Sequence, residues 1–205
     1  MKDVPKFYND LKLTLEEIFH LLKRGVRDRK SGFHNVVLVT TDKENRADGR
    51  TVVLRGFDSE KMEIYFHSDL RAKKISQIKN NNFVSLIFYD EKKKIQIRIK
   101  GEASIKPSYK KAWDGLSNWS KRCYLTISAP GESSENPTAG FPEKFEFTAP
   151  NDKFSKKGIK NFCYVVISIT KVEWLFLASQ GHRRALFDIS KSNSKIEIYS
   201  KWLVP

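Results

Sequence analysis

The stretch Lys94-Ile-Gln-Ile-Arg-Ile-Lys100 alternates without a break. Successive strand side chains point to opposite faces, so Ile95, Ile97 and Ile99 share one side while Gln96, Arg98 and Lys100 share the other. A strand with one apolar and one cationic face suits an antiparallel sheet or barrel. A strand inside a parallel sheet is buried on both faces and reads as a continuous apolar run.

The same reading extends outward. Residues 94–105 form one long strand, and Asp90-Glu-Lys-Lys93 turns it back onto a strand at 83–89. Further upstream, residues 33–41, 51–57 and 62–67 read as strands separated by the polar segment 42–49 and by Asp58-Ser-Glu-Lys61. Downstream, a long strand over 162–177, bent near Thr170-Lys171, is followed by strands at 182–189 and 195–199. Three helices interrupt the strands. Thr14-Leu-Glu-Glu17 has the pattern of a capping box, with Leu15, Ile18, Phe19 and Leu22 at helical spacing and an end near Gly25. Residues 70–79 form the second helix, with Ser68 and Asp69 as N-cap candidates, and Pro107 starts a third through Trp113 and Leu116. Residues 128–160 hold Pro130, Pro137, Pro142 and Pro150 and read as a surface excursion. Strands outnumber helices, so the expected fold is mainly β: one domain over 1–205, a β-barrel with flanking helices.

Composition sets outer bounds. Among 205 residues, 40% are hydrophobic and 12% aromatic, enough for a core and too much for a disordered chain. Lys and Arg number 38 against 24 Asp and Glu, a net charge of +14 that implies an anionic partner. Cys123 and Cys163 are far apart, which fits a reducing compartment and excludes a disulfide framework. Met-Lys-Asp-Val-Pro-Lys at the start lacks a leader pattern, and the apolar stretch 162–169 is too short to span a bilayer, so a cytoplasmic protein without a membrane partner is expected. The four His residues show no ligand spacing, and no metal is expected. No P-loop, GxGxxG, HExxH or paired CxxC is present.

The residues with chemical content are cationic. Arg50 and Arg55 bracket Thr51-Val-Val-Leu54 and lie on opposite faces of a regular strand unless a bend near Gly56 brings them together. In His67-Ser-Asp-Leu-Arg-Ala-Lys-Lys74 a strand ends and Arg71, Lys73 and Lys74 crowd the start of a helix. Helix amino termini attract anions, and cations placed there are easiest to explain with a phosphate among them. Gln96 carries a donor and an acceptor suited to a ring amide. Trp174 reads as core or interface, and His182 as a surface residue.

In order, Arg50-Thr-Val-Val-Leu-Arg-Gly-Phe57, Tyr65-Phe-His-Ser-Asp-Leu-Arg-Ala-Lys-Lys74, Gln77-Ile-Lys-Asn-Asn81, Gln96-Ile-Arg-Ile-Lys-Gly101 and Val172-Glu-Trp-Leu175 with His182-Arg-Arg184 resemble the pyridoxamine 5′-phosphate oxidase family of FMN-binding split barrels. The resemblance covers residues 33–190 and is greatest to a divergent branch related to the oxidase. It implies a homodimer with FMN held between subunits. It implies that Arg50 and Lys74 bind the FMN phosphate, with Ser68 and Lys73 or Arg71 helping and His67 at the head of the same stretch. Thr51, Val52, Val53, Leu54 and Arg55 would run along the isoalloxazine, Gln96 would come from the partner copy, and Arg184 or Arg183 from the last hairpin. It assigns no catalytic side chain, because hydride chemistry belongs to the flavin.

Several positions depart from the oxidase. Arg55 stands where the oxidase has a substrate-binding Lys, and the Tyr-to-Arg spacing after Gly101 differs. The ending is Trp202-Leu-Val-Pro205, and Leu175 occupies the place of a flavin-facing Trp. FMN binding therefore follows from the resemblance more directly than turnover of pyridoxamine phosphate or of any other small-molecule substrate. Two alternatives fit the composition: a non-catalytic FMN carrier or sensor, and a basic nucleic-acid-binding barrel. The second lacks an aromatic RNA-binding strand motif.

Overall fold

The computed structural model describes residues 4–192 and 195–205; the first three residues of the amino-terminal stretch lie outside these. The fold begins with helix α1 (Leu11–Arg27), whose buried face carries Ile18, Leu21, Leu22 and Gly25. Its N-cap is Asp10, which accepts the Leu13 N–H at 2.9 Å, and not Thr14 as the capping-box pattern suggests. Thr14 is buried one turn further in, where its hydroxyl donates to the Phe7 and Asp10 carbonyls. An Asp four residues before a Thr can cap just as well, and burial of the Thr settles the choice.

Nine strands follow: β1 (Asn35–Thr41), β2 (Ala47–Val53), β3 (Gly56–Asp58), β4 (Glu63–Asp69), β5 (Phe83–Asp90), β6 (Ile95–Pro107), β7 (Phe162–Phe176), β8 (Arg183–Ser192) and β9 (Lys195–Leu203). All their pairings are antiparallel, in the order β2-β1-β5-β6-β7-β4-β3, with β8 and β9 continuing from β7. The inward residues Ile95, Ile97 and Ile99 are buried at 2% exposure or less, as the alternation requires.

The two ends of this order, β2 and β3, are consecutive in sequence. The expected single strand over 51–57 is divided at Leu54-Arg55. Leu54 N–H bonds to the His34 carbonyl next to β1, and Arg55 N–H bonds to the Tyr65 carbonyl of β4, both at 2.9 Å. The chain changes partners there, so the sheet curls into a barrel whose last seam is bridged by covalent chain and not by a hydrogen-bonded ladder. Gly56 permits the crossing, since a Cβ there would lie 2.7 Å from the Tyr65 ring. This strand exchange is invisible to local periodicity, which is why the sequence reads as one strand.

β7 also changes partners along one edge. Its first half pairs with β4 and its second with β8, while β6 runs beside both. The register against β6 shifts between Lys100 and Gly101, leaving Thr170 as the extra residue of a bulge at the expected bend. Gly101 lies against the β7 backbone, and a Cβ there would be 2.4 Å from the Ser168 carbonyl oxygen. Gly101→Ala is therefore expected to cost about 1–3 kcal/mol, as overpacking does, read as a lowered midpoint in urea unfolding.

The remaining helices are short: α2 (Lys73–Asn80), α3 (Lys110–Asp114), α4 (Asn118–Arg122) and α5 (Asp152–Ser155). The third expected helix, running from Pro107 to Leu116, shrinks to the five residues of α3 because β6 extends to Pro107. Residues 123–142 contain no helix or strand, while the rest of the stretch expected as an excursion, 143–160, carries the short helical segments Glu143–Phe145, α5 and most of Lys156–Asn161.

Candidate functional site

The barrel seam places one cluster of sequence-identified residues together. Arg50 on β2 faces the core side, opposite Leu38 of β1. Its Nη1 donates to Thr40 Oγ1 at 2.5 Å, and its Nη2 donates to Gln77 Oε1 at 3.0 Å and lies 2.8 Å from Asp48 Oδ2. Gln77 is buried on α2 and donates in turn to Asp48 at 2.9 Å. This amide bond, followed by the charges of Arg50 and Lys73, holds the Asp48 carboxyl below its ordinary range.

Lys74 projects from the first turn of α2 toward the same place. Its Nζ is 3.5 Å from Ser68 Oγ, and Ser68 is buried at the end of β4. Burial first, and then the Arg50 charge, push the Lys74 ammonium below its ordinary pKa. Lys74 makes no ion pair among the described residues. Two neighbouring cations, one half-buried and without a carboxylate, form a donor set that a doubly charged phosphate would relieve. Of the residues singled out in sequence, Lys74 thus lies beside Ser68 and within reach of the Arg50 charge.

Lys73 reaches the Asp48 oxygen that Arg50 holds, whereas Arg71 turns elsewhere. Lys73 is exposed and pairs with Asp48 at 3.5 Å. Arg71 precedes the helix and is captured by Asp69, Nε to Oδ1 at 3.0 Å and Nη2 to Oδ2 at 2.8 Å. Its remaining donors reach Thr126 and Ile127 of the excursion. Neither Ser68 nor Asp69 caps α2: both belong to β4, and the N-cap is Ala72 with no side-chain bond. The short polar residues resemble caps in sequence, but strand pairing with Cys163 and Phe162 claims them.

Beside this cluster, Thr51, Val52 and Val53 lie on an edge strand that pairs only with β1, so its outer backbone groups face no other strand. Leu54 is buried and Arg55 exposed. Arg55 follows the crossing at Leu54, and its charge reaches His67 and Tyr124. Burial, and then Arg55, lower the His67 pKa from 6.5 to about 4. His67 belongs to an aromatic patch that sequence reading missed. Its ring lies 5.1 Å from Phe162 and 5.6 Å from Tyr164, and Tyr164 stacks on Tyr65 at 5.3 Å and lies 5.2 Å from Tyr109. The alternation Ile64-Tyr65-Phe66-His67 was a visible signal, but the β4–β7 register that adds Tyr164 was not.

His67 gives a pH dependence with a definite sign. Its folded pKa is depressed, so the unfolded chain binds a proton that the folded chain refuses between pH 6.5 and about 4. Its contribution is complete above 6.5 and lost as pH falls toward 4. The melting temperature of His67→Gln is expected to fall less across that interval than that of the wild type, and parallel curves would refute the assignment.

Gln96 and Arg184 stand on the outer face of the sheet, away from Arg50 and Lys74. Gln96 pairs across to Leu175, and Leu175 to Arg184, placing the three in one row. Arg184 is held by Glu173 through Nε at 2.9 Å and Nη2 at 2.7 Å, and Arg98 bonds the same oxygen. Burial raises the Glu173 pKa, but the bonds from Arg98 and Arg184 outweigh it and hold the carboxyl below its usual range. Arg183 instead sits over the Tyr8 ring at 3.9 Å. Trp174 is fully buried in the core and His182 is exposed, both as expected.

Comparisons with known proteins bear on the fold and on the family resemblance. Residues 16–107 match the family model described as pyridoxamine 5′-phosphate oxidase, FMN-binding domain. A pyridoxine/pyridoxamine 5′-phosphate oxidase 2 from Arabidopsis thaliana is 28% identical over 154 residues, covering 69% of this chain and 73% of the relative. Among solved structures, a pyridoxamine 5′-phosphate oxidase-related, FMN-binding protein from Nostoc punctiforme superposes with a TM-score of 0.71 at 22% identity, covering 99% of both chains. PhzG from Burkholderia lata, solved with tetrahydrophenazine-1-carboxylic acid, has a TM-score of 0.68 at 17% identity, covering 100% of this chain and 99% of that one.

Proposed function

We propose that this pyridoxamine 5′-phosphate oxidase-like split barrel binds FMN and acts as a flavin-dependent oxidoreductase, working as a homodimer in the reducing setting of the cytoplasm. The observation that carries the reading is the half-buried Lys74 beside Ser68, which feels the Arg50 charge and makes no ion pair among the described residues. Free thiols at Cys123 and Cys163 suit the compartment. Among the described residues no helix is long and apolar enough to cross a membrane.

Bound FMN supplies hydride transfer. The chain's part is to hold it. Arg50 and Lys74 neutralise the phosphate and Ser68 adds a hydroxyl donor. The outer edge of residues 51–53 offers backbone groups to the ring. His67 stays neutral near pH 7, because its pKa is about 4, and so presents a hydrogen-bonding nitrogen without a charge. Gln96 and Arg184 face away from this cluster in their own chain. A second copy brings its own outer row to the site, so two copies complete two sites.

Titration with FMN tests the reading. The protein is expected to bind one FMN per chain, to shift the flavin visible spectrum and to elute as a dimer. At FMN concentrations 100 times Kd the expected stabilisation of about 2.7 kcal/mol corresponds to a melting-temperature rise of roughly 5–10 °C. A colourless protein whose melting is indifferent to FMN would end the proposal. Anaerobic reduction of the bound flavin by candidate donors, followed by reoxidation, separates an enzyme from a carrier.

A further inference from the structure

The long excursion is fastened to the barrel at defined points. Arg71 Nη1 donates to the Ile127 carbonyl at 3.0 Å and Nη2 to Thr126 Oγ1 at 2.7 Å, while Asn161 Nδ2 donates to the Tyr124 carbonyl at 2.9 Å. Asp69 grips the same guanidinium with both oxygens, so this wall is rigid. Behind it lies a cavity of about 400 Å³, within the range of small-molecule sites.

The lining divides by chemistry. Its aromatic side chains are Tyr124, Phe145 and Phe154, and Leu125, Ile127 and Pro142 extend the apolar surface. Its charged side chains are Arg71, Lys157 and Lys160, with no carboxylate among them. Lys157 and Lys160 lie three apart on the 3₁₀ helix Lys156–Asn161. Such a helix has three residues per turn, which superimposes positions i and i+3. Both lysines therefore reach the same cavity, while Lys156 and Ile159 line the one on the other side. Neither Lys157 nor Lys160 makes an ion pair among the described residues. Lys157 lies over the Phe154 ring at 5.0 Å.

We propose that this cavity is a second binding site, distinct from the Arg50–Lys74 cluster, for a small organic anion with an apolar aromatic body. The body lies on the Tyr124, Phe145 and Phe154 surface, and the carboxylate or sulfonate is taken by Lys157 and Lys160. Arg71 contributes little directly because Asp69 and the excursion occupy its donors; it holds the wall in place.

Calorimetric titration of FMN-saturated protein with naphthalene-1-sulfonate tests the site, with neutral naphthalene-1-methanol as the comparison. One sulfonate per chain is expected. The neutral analogue and the exposed-lysine variant K157Q/K160Q are each expected to bind about tenfold more weakly or worse, from the loss of charge-assisted contacts. The control K92Q/K93Q, at a remote hairpin turn, is expected to bind like wild type. K160Q alone should shift affinity in the same direction as the double variant. Absence of binding, several equivalent sites per chain, or unchanged affinity in K157Q/K160Q would overturn the proposal. So would sulfonate binding that disappears as FMN saturates the protein. Because titration without FMN is run alongside, failure of this site is separable from failure of FMN to bind.

Discussion

Lys74→Met is expected to weaken FMN binding by roughly 10- to 150-fold while raising the melting temperature of the FMN-free protein. The first half follows from losing a charge-assisted contact to phosphate, worth about 1.5–3 kcal/mol. The second follows from the direction of the Lys74 pKa. Burial and Arg50 depress it, so the folded state holds a charged ammonium at neutral pH less readily than the unfolded chain does. A depressed lysine pKa makes the charge a cost at every pH below its unfolded value. Methionine retains most of the apolar stem and removes that cost, an exchange of function for stability. Arg50→Ala is expected to weaken FMN binding comparably but to lower stability, because Asp48, Thr40 and Gln77 lose their shared partner. Opposite stability changes with similar affinity losses would mark a site in which one cation is structural and the other is reserved for the ligand. If Lys74→Met binds FMN like wild type, the phosphate does not lie there.

Trp174→Ala is expected to produce the largest loss of stability in the chain. The indole is fully buried and meets Phe7 edge-on at 5.4 Å. Removing a buried aromatic of this size costs about 3–5 kcal/mol. For a protein of this length that is a fall of roughly 6–20 °C in melting temperature. Trp174→Phe is expected to cost less than half as much. The indole Nε1 is buried without a hydrogen-bond acceptor, so the phenyl ring gives up volume but no bond. Thermal unfolding of the two variants beside wild type checks both numbers. Equal losses would mean that the indole N–H has a partner after all.

The parts of this structure that are legible in sequence are those fixed by local spacing. Ile95, Ile97 and Ile99 on one face, the bend at Thr170 and the long excursion each announce themselves within a few residues. The cationic cluster is legible for a different reason: Arg50 and Lys74 sit in motifs whose order resembles a known family, and in the fold the Arg50 charge reaches Lys74. What escaped depends on partners distant in sequence. Arg71, Lys73 and Lys74 look equivalent in the stretch 67–74, but Asp69 turns Arg71 toward Thr126, and Lys73 shares the Asp48 carboxylate with Arg50 while Lys74 makes no ion pair among the described residues. The aromatic patch around His67 exists only in the register between β4 and β7. Thr14 has the credentials of a cap, and the core takes it.

The seam at Leu54 has a consequence for how the site keeps its dimensions. Ladder-bonded strands can slide or fray against one another, altering the gap between groups on neighbouring strands. Arg50 and Arg55 flank a join made of main-chain bonds, with Leu54 anchored to the His34 carbonyl and Arg55 to the Tyr65 carbonyl. The separation of Arg50 from Arg55 is thus set by the four residues between them, whatever the ladders on either side do. When the barrel breathes, that separation travels with it.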